Sequence, residues 1–222
     1  AAREAQETLP RTFHYAAGVL DIPLPEFYLW REDKSIGIIF TPTAPPAIVV
    51  GGEALKEENT QTLAFVAARH LTYYLPGFYL RVFLQTGTAL STWLLAAIKF
   101  VIPQFPVPGE FKNRIPDAVG IMKKFLDQSQ KEILTAKVHT FMESVAGGID
   151  LKKWSAGVDF TADRAGLLLC NDARNALSVI RKMHVDSWFA PVKERVAELS
   201  LFSVSDEFFI LREKLGFAIQ TE

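Results

Sequence analysis

Residues 63–76 read LAFVAARHLTYYLP, and Leu63, Val66, Ala67, Leu71 and Tyr74 fall there at i, i+3, i+4, i+8 and i+11. That period predicts a helix with one continuous apolar stripe turned to a core. Arg69, His70, Thr72 and Tyr73 sit between the stripe positions, so this core helix carries four polar side chains. Asn59 or Thr60 caps its start, and Pro76 with Gly77 stops it. The helical period returns at 88–101, 117–128, 131–145, 151–170, 172–183, 191–199 and 205–215, with Asp172 and Ser205 as N-caps and Gly216 as a C-cap.

Ahead of the central helix the pattern changes. Phe13, Ala16, Ala17 and Leu20 form a helical stripe closed by Gly18 and Asp21, and Pro23 and Pro25 then impose extended backbone. Short apolar, aromatic or β-branched runs at 27–30 and 35–40 flank a turn at 31–34 and predict a hairpin or two neighbouring strands. A third strand, 47–50, ends at Gly51 and Gly52, and a short helical turn is expected at 53–55. Residues 78–84 are apolar around Arg81, and 103–116 hold four prolines and a glycine, a loop suited to cover or flank a cleft. No repeat recurs along the chain. The apolar run 90–102 is interrupted by Lys99 and closed by Pro103, short of the roughly 20 residues of a membrane span, and reads as a core helix.

Composition narrows the class. With 222 residues, 49% of them hydrophobic, and a formal charge of −1, the chain can bury one sizeable core or two small ones, and one domain over 1–222 is expected. Interspersed charges of both signs leave no electrostatic footprint for nucleic acid. A single Cys170 rules out an internal disulfide and suits a reducing compartment. The chain begins at Ala1, which suggests a piece excised from a longer protein.

Two stretches carry a resemblance. In the zinc-peptidase motif H-E-x-x-H, two histidines at i and i+4 of a helix bind the metal and the glutamate is the general base. On that template Arg69 stands at the first histidine, His70 at the glutamate and Tyr73 at the second histidine. Downstream, 154–170 reads WSAGVDFTADRAGLLLC and contains ADRAG at 162–166. This resembles the second helix of the gluzincin metallopeptidases related to HtpX and the CAAX prenyl proteases. There a glutamate is the third zinc ligand, and an aspartate four residues on orients a zinc histidine. Asp159 matches the ligand and Asp163 the orienting acid.

The resemblance implies an α+β fold, a mainly helical zincin core with a small N-terminal sheet, and 63–75 packed beside 151–170. The resemblance extends to similar domains at the C-terminal end of large bacterial helical-repeat proteins. It therefore implies a cytoplasmic pseudo-peptidase whose partner is another protein or the adjacent repeats. No cofactor, metal or catalytic residue is expected.

The energetics of the degenerate site, Arg69, His70, Tyr73, Asp159 and Asp163, can be read in advance. Asp159 and Asp163 lie i, i+4 on a buried helix face, where two unpaired carboxylates would cost several kcal/mol. Arg69, whose planar fork suits carboxylates, is expected to pair with Asp159 or Asp163, with the Tyr73 hydroxyl as a further donor. The alternative leaves Arg69 reaching to solvent and the acids paired with Arg164 or lysines.

His14, His139 and His184 are isolated, Ser155, Ser178 and Ser203 lie in no nucleophile elbow, and Gly51-Gly52 lacks the spacing of a phosphate loop. Two functions follow: a non-catalytic scaffold or protein-interaction module, or a metal-dependent hydrolase with a rearranged site built from His70, Asp159, Asp163 and a loop histidine such as His139.

Overall fold

A computed structural model describes residues 2–30, 32, 38–41, 43, 45–52, 54, 57, 59–145, 149–182 and 189–217, with side chains from Thr8 onward. The fold is α+β: mostly helical, with one small three-stranded sheet. Contacts separate two compact units within the span read above as one domain. The first comprises 1–83 and 155–222 and the second 84–154.

The first unit opens with α1 (Ala2–Leu20), then β1 (Glu26–Trp30), β2 (Ile38–Thr41) and β3 (Ala47–Gly51). Strand order is β1-β3-β2, with β1 parallel and β2 antiparallel to β3. The expected neighbouring pair, 27–30 with 35–40, is therefore corrected, because β3 lies between them. The reason is in β3 itself, whose Ala47, Ile48 and Val50 are all fully buried. A strand apolar on both faces is stable at the centre of a sheet, while the more exposed β1 and β2 take its edges. The turn expected at 31–34 and the helical turn at 53–55 fall mainly outside the described residues.

The central helix is α2 (Thr60–Thr72), capped where the Asn59 side chain accepts the Thr62 N–H at 2.9 Å. A one-turn helix α3 (Leu80–Phe83) follows. In the second unit α4 (Gly87–Val101) and α5 (Ile115–Phe125) pack around Ala96, Phe111, Ile115 and Ala118, and α6 (Gln128–Ser144) lies against α4. α6 begins three residues earlier than its period suggested, because Asp127 and Gln130 form a reciprocal capping box.

The first unit resumes within α7 (Leu151–Cys170), which starts four residues before the boundary, and continues through α8 (Ala173–Lys182), α9 (Val192–Phe202) and α10 (Asp206–Lys214). One core joins Leu9, Phe13, Ile48, Val50, Leu63 and Leu71. A second joins Phe65 to Leu167, Ile180, Leu199 and Phe202. α2 contributes to both, so its apolar residues go nearly all round; Arg69 and Tyr73, one turn apart, form its polar sector, with His70 outside it. Among the described residues, no helix is long and apolar enough to cross a membrane.

Candidate functional site

The polar sector of α2 faces α7. Gly166 comes against Phe65 so closely that a Cβ there would stand 2.7 Å from the Phe65 ring and 2.9 Å from its carbonyl oxygen. From that approach Arg69 reaches Asp163, and Tyr73 reaches Asp159. Steps of four along α2 thus meet steps of three and four in reverse along α7, an antiparallel pairing of two helix faces. Glycine sets the close end, and long polar side chains bridge the rest.

Each carboxylate is enclosed. Asp163 is fully buried and accepts from Arg69 Nε at 2.8 Å. It also accepts a two-pronged contact from Arg195 of α9, whose Nε donates to Oδ2 and Nη2 to Oδ1, both at 2.7 Å. Asp159 accepts the Tyr73 hydroxyl at 2.9 Å and Arg81 Nη2 at 3.0 Å, while Tyr73 in turn accepts from Arg69 Nη2 at 2.9 Å. A continuous polar chain results: Arg195, Asp163, Arg69, Tyr73, Asp159, Arg81. Arg195 is 1% exposed, and its remaining nitrogen Nη1 has no hydrogen-bond partner among the described residues.

The electrostatics follow from burial and charge. Burial alone would depress the Arg69 pKa, but Tyr73, Asp163 and Asp159 around it outweigh that, and the net direction is upward. Burial also raises the Tyr73 hydroxyl, as do Asp159 and Asp163, against the opposing pull of Arg69. Tyr73 consequently remains a donor, and Arg69 a cation, over the whole working pH range.

His70 takes no part in this cluster. It lies against Phe13 and Tyr74, with ring centroids at 6.1 Å and 5.6 Å, on the side of α2 toward α1 and the sheet. Tyr74 spends its own hydroxyl proton on the Ala47 carbonyl at 2.8 Å. Burial, helped by the charge of Arg69, pushes the His70 pKa down to about 3, so folding requires the neutral ring. Between the unfolded value near 6.5 and that folded value the unfolded chain binds the extra proton. Stability is expected to fall as pH drops through this window. Between pH 7 and pH 5 the loss attributable to His70 is expected to be about 1–2 kcal/mol. Urea titrations of the wild type and His70→Gln at both pH values check this, since the variant should lack that part of the slope.

Of the residues singled out in the sequence, Arg69, Tyr73, Asp159 and Asp163 come together and His70 stands apart. Arg164, the other suggested partner for the acids, pairs with Glu198 instead and also approaches Glu207. Arg81 and Arg195 were not anticipated as members of the cluster. A local signal existed for both, a single arginine inside an apolar run or stripe: FYLRVFL around Arg81, and Val192, Leu199 and Phe202 flanking Arg195 on its helix face. Among the described residues no three His, Cys, Asp or Glu side chains form a group that could hold a metal. No protein-family model matches the chain, and neither does any curated protein or solved structure.

Proposed function

We propose that this chain is a non-catalytic, pseudo-metallopeptidase domain with a zincin-like core that serves as a scaffold or protein-interaction module. The observation that carries the reading is the state of the two aspartates at the positions the resemblance assigns to zinc chemistry. Arg195 and Arg69 neutralise Asp163, and Arg81 and Tyr73 occupy Asp159. A metal ligand needs a free lone pair directed at the ion, and a general base needs an acceptor directed at a water. Here guanidinium donors already claim both carboxylates, and a cation entering among three arginines would meet strong repulsion. The competing hydrolase needs His70 to share a metal with Asp159 and Asp163, and His70 is packed instead between Phe13 and Tyr74. A bacterial cytoplasmic setting, beside helical repeats or another protein partner, belongs to this proposal and rests on the family resemblance.

The test is metal analysis of the purified chain after equilibration with micromolar zinc, together with a peptidase assay in the presence and absence of chelator. Zinc well below one equivalent, and no chelator-sensitive cleavage, are expected. One tightly held equivalent that disappears in Asp159→Asn would overturn the reading.

A further inference from the structure

The outer side of β1 is unusual for a sheet edge. Its neighbour β3 pairs with one side only, and among the described residues nothing pairs with the other. Tyr28, Leu29 and Trp30 are 52%, 41% and 48% exposed, although they alternate between the two faces of the sheet. Natural edges are usually blunted by lysine, proline or a bulge. Glu26–Trp30 reads EFYLW, with no lysine, proline or glycine within it. Among the described residues the strand therefore presents unpaired N–H and C=O groups between large apolar side chains, a surface that hydrogen-bonds an extended chain.

A second feature adjoins it along the chain. An open groove of about 410 Å³ lies between the end of α1 and the segment leading into β1, bordered by His14, Gly18, Asp21 and Leu24 among others. Adding a Cβ at Gly18 would meet nothing within 4 Å, so the wall there is free. The acid at the groove is Asp21, which directly follows a last turn of α1 that has no basic side chain. The negative end of the helix and the Asp21 carboxylate together favour a cation.

We propose that the free edge of β1 and this groove together bind an extended peptide of a partner protein. The peptide adds as a fourth strand and seats a lysine or arginine at the groove beside Asp21. This deepens the interaction-module reading and rests on it, naming the chemistry of the partner. Backbone pairing supplies affinity, Tyr28 and Trp30 select apolar or aromatic residues at alternate positions, and the groove sets the direction of the chain.

The test uses random seven-residue peptides displayed on phage and selected against the intact chain, with the best binder synthesised bearing a fluorescein label. The expected binder alternates apolar residues and has a basic residue at one end. Methylating alternate backbone nitrogens in it should weaken binding at least about tenfold. Amide exchange at Glu26–Trp30 should slow when it is added. Asp21→Asn, which keeps a residue at home in left-handed backbone where Asp21 has φ 52°, should weaken binding several-fold and leave Tm unchanged. Selected peptides that protect another surface, a selection that yields none, or sedimentation showing two copies paired through β1 would each overturn the inference. Zinc-dependent cleavage of the bound peptide, followed by mass spectrometry, would instead sink the non-catalytic reading and leave the docking edge standing.

Discussion

Replacing Arg195 with alanine is expected to destabilise the chain by about 3–5 kcal/mol, the usual cost of breaking a buried ion pair by removing one partner. Arg195 is the largest fully buried side chain among the described residues, and Asp163 beneath it is 0% exposed. Removal takes away both prongs at 2.7 Å and leaves a void where the side chain stood. Arg69 remains on Asp163 at 2.8 Å, which holds the loss toward the lower end of the range. Arg195→Met separates charge from packing, because methionine keeps most of the volume. It should recover the part of the loss that is cavity and keep the part that is unpaired carboxylate. Asp163→Asn in the Arg195→Met background should then be less harmful than Asp163→Asn alone. Urea denaturation of the four chains forms a double-mutant cycle. A coupling below about 0.5 kcal/mol between Arg195 and Asp163 would mean that the geometry misstates their partnership.

The second large effect is expected from one methyl group. Gly166→Ala should cost about 1–3 kcal/mol, because its Cβ would collide with the Phe65 ring and, at 2.9 Å, with the Phe65 carbonyl oxygen. A side chain can rotate away, but that oxygen belongs to the backbone of α2. Relief therefore requires the two helices to separate, and separation stretches the Arg69–Asp163 and Tyr73–Asp159 bonds that span them. Gly157→Ala, in the same helix, is the internal control: nothing lies within 4 Å of its Cβ. There alanine's better helix propensity should leave stability unchanged or raise it by up to about 1 kcal/mol. Thermal unfolding of the two variants side by side checks the contrast, and equal Tm values would refute the close approach.

Both experiments bear on why a polar chain persists inside this unit. Replacing a whole buried ionic network with apolar residues is often neutral or better for stability, whereas removing a single member is costly. The six side chains from Arg195 to Arg81 come from α2, α3, α7 and α9, and they order those elements relative to one another through fixed fork geometries. A hydrophobic cluster would tolerate rotation or slippage of α2 against α7. Guanidinium and carboxylate pairs at these distances do not.

Local chemistry was enough to read most of the helices. The apolar period placed α7 at Leu151–Cys170, and Asn59 and Ser205 could be named as caps because a side-chain oxygen at that position satisfies backbone donors only a few residues away. The four polar intruders of α2 were equally visible, since an apolar stripe makes any charge within it conspicuous. Strand order was not visible. Which strand becomes central depends on what covers its two faces, and the β3 residues Ile48 and Val50 are covered by side chains as distant as Phe13 and Leu71. The partners of the aspartates were likewise beyond reach. Arg81 lies 78 residues from Asp159, and Arg195 lies 32 from Asp163. Spacing within a helix says which residues share a face, while only the packing of one helix on another says what that face meets. The side on which His70 came to rest was decided in the same way. Its ring was free to serve either face of α2 until Phe13 and Tyr74 closed around it.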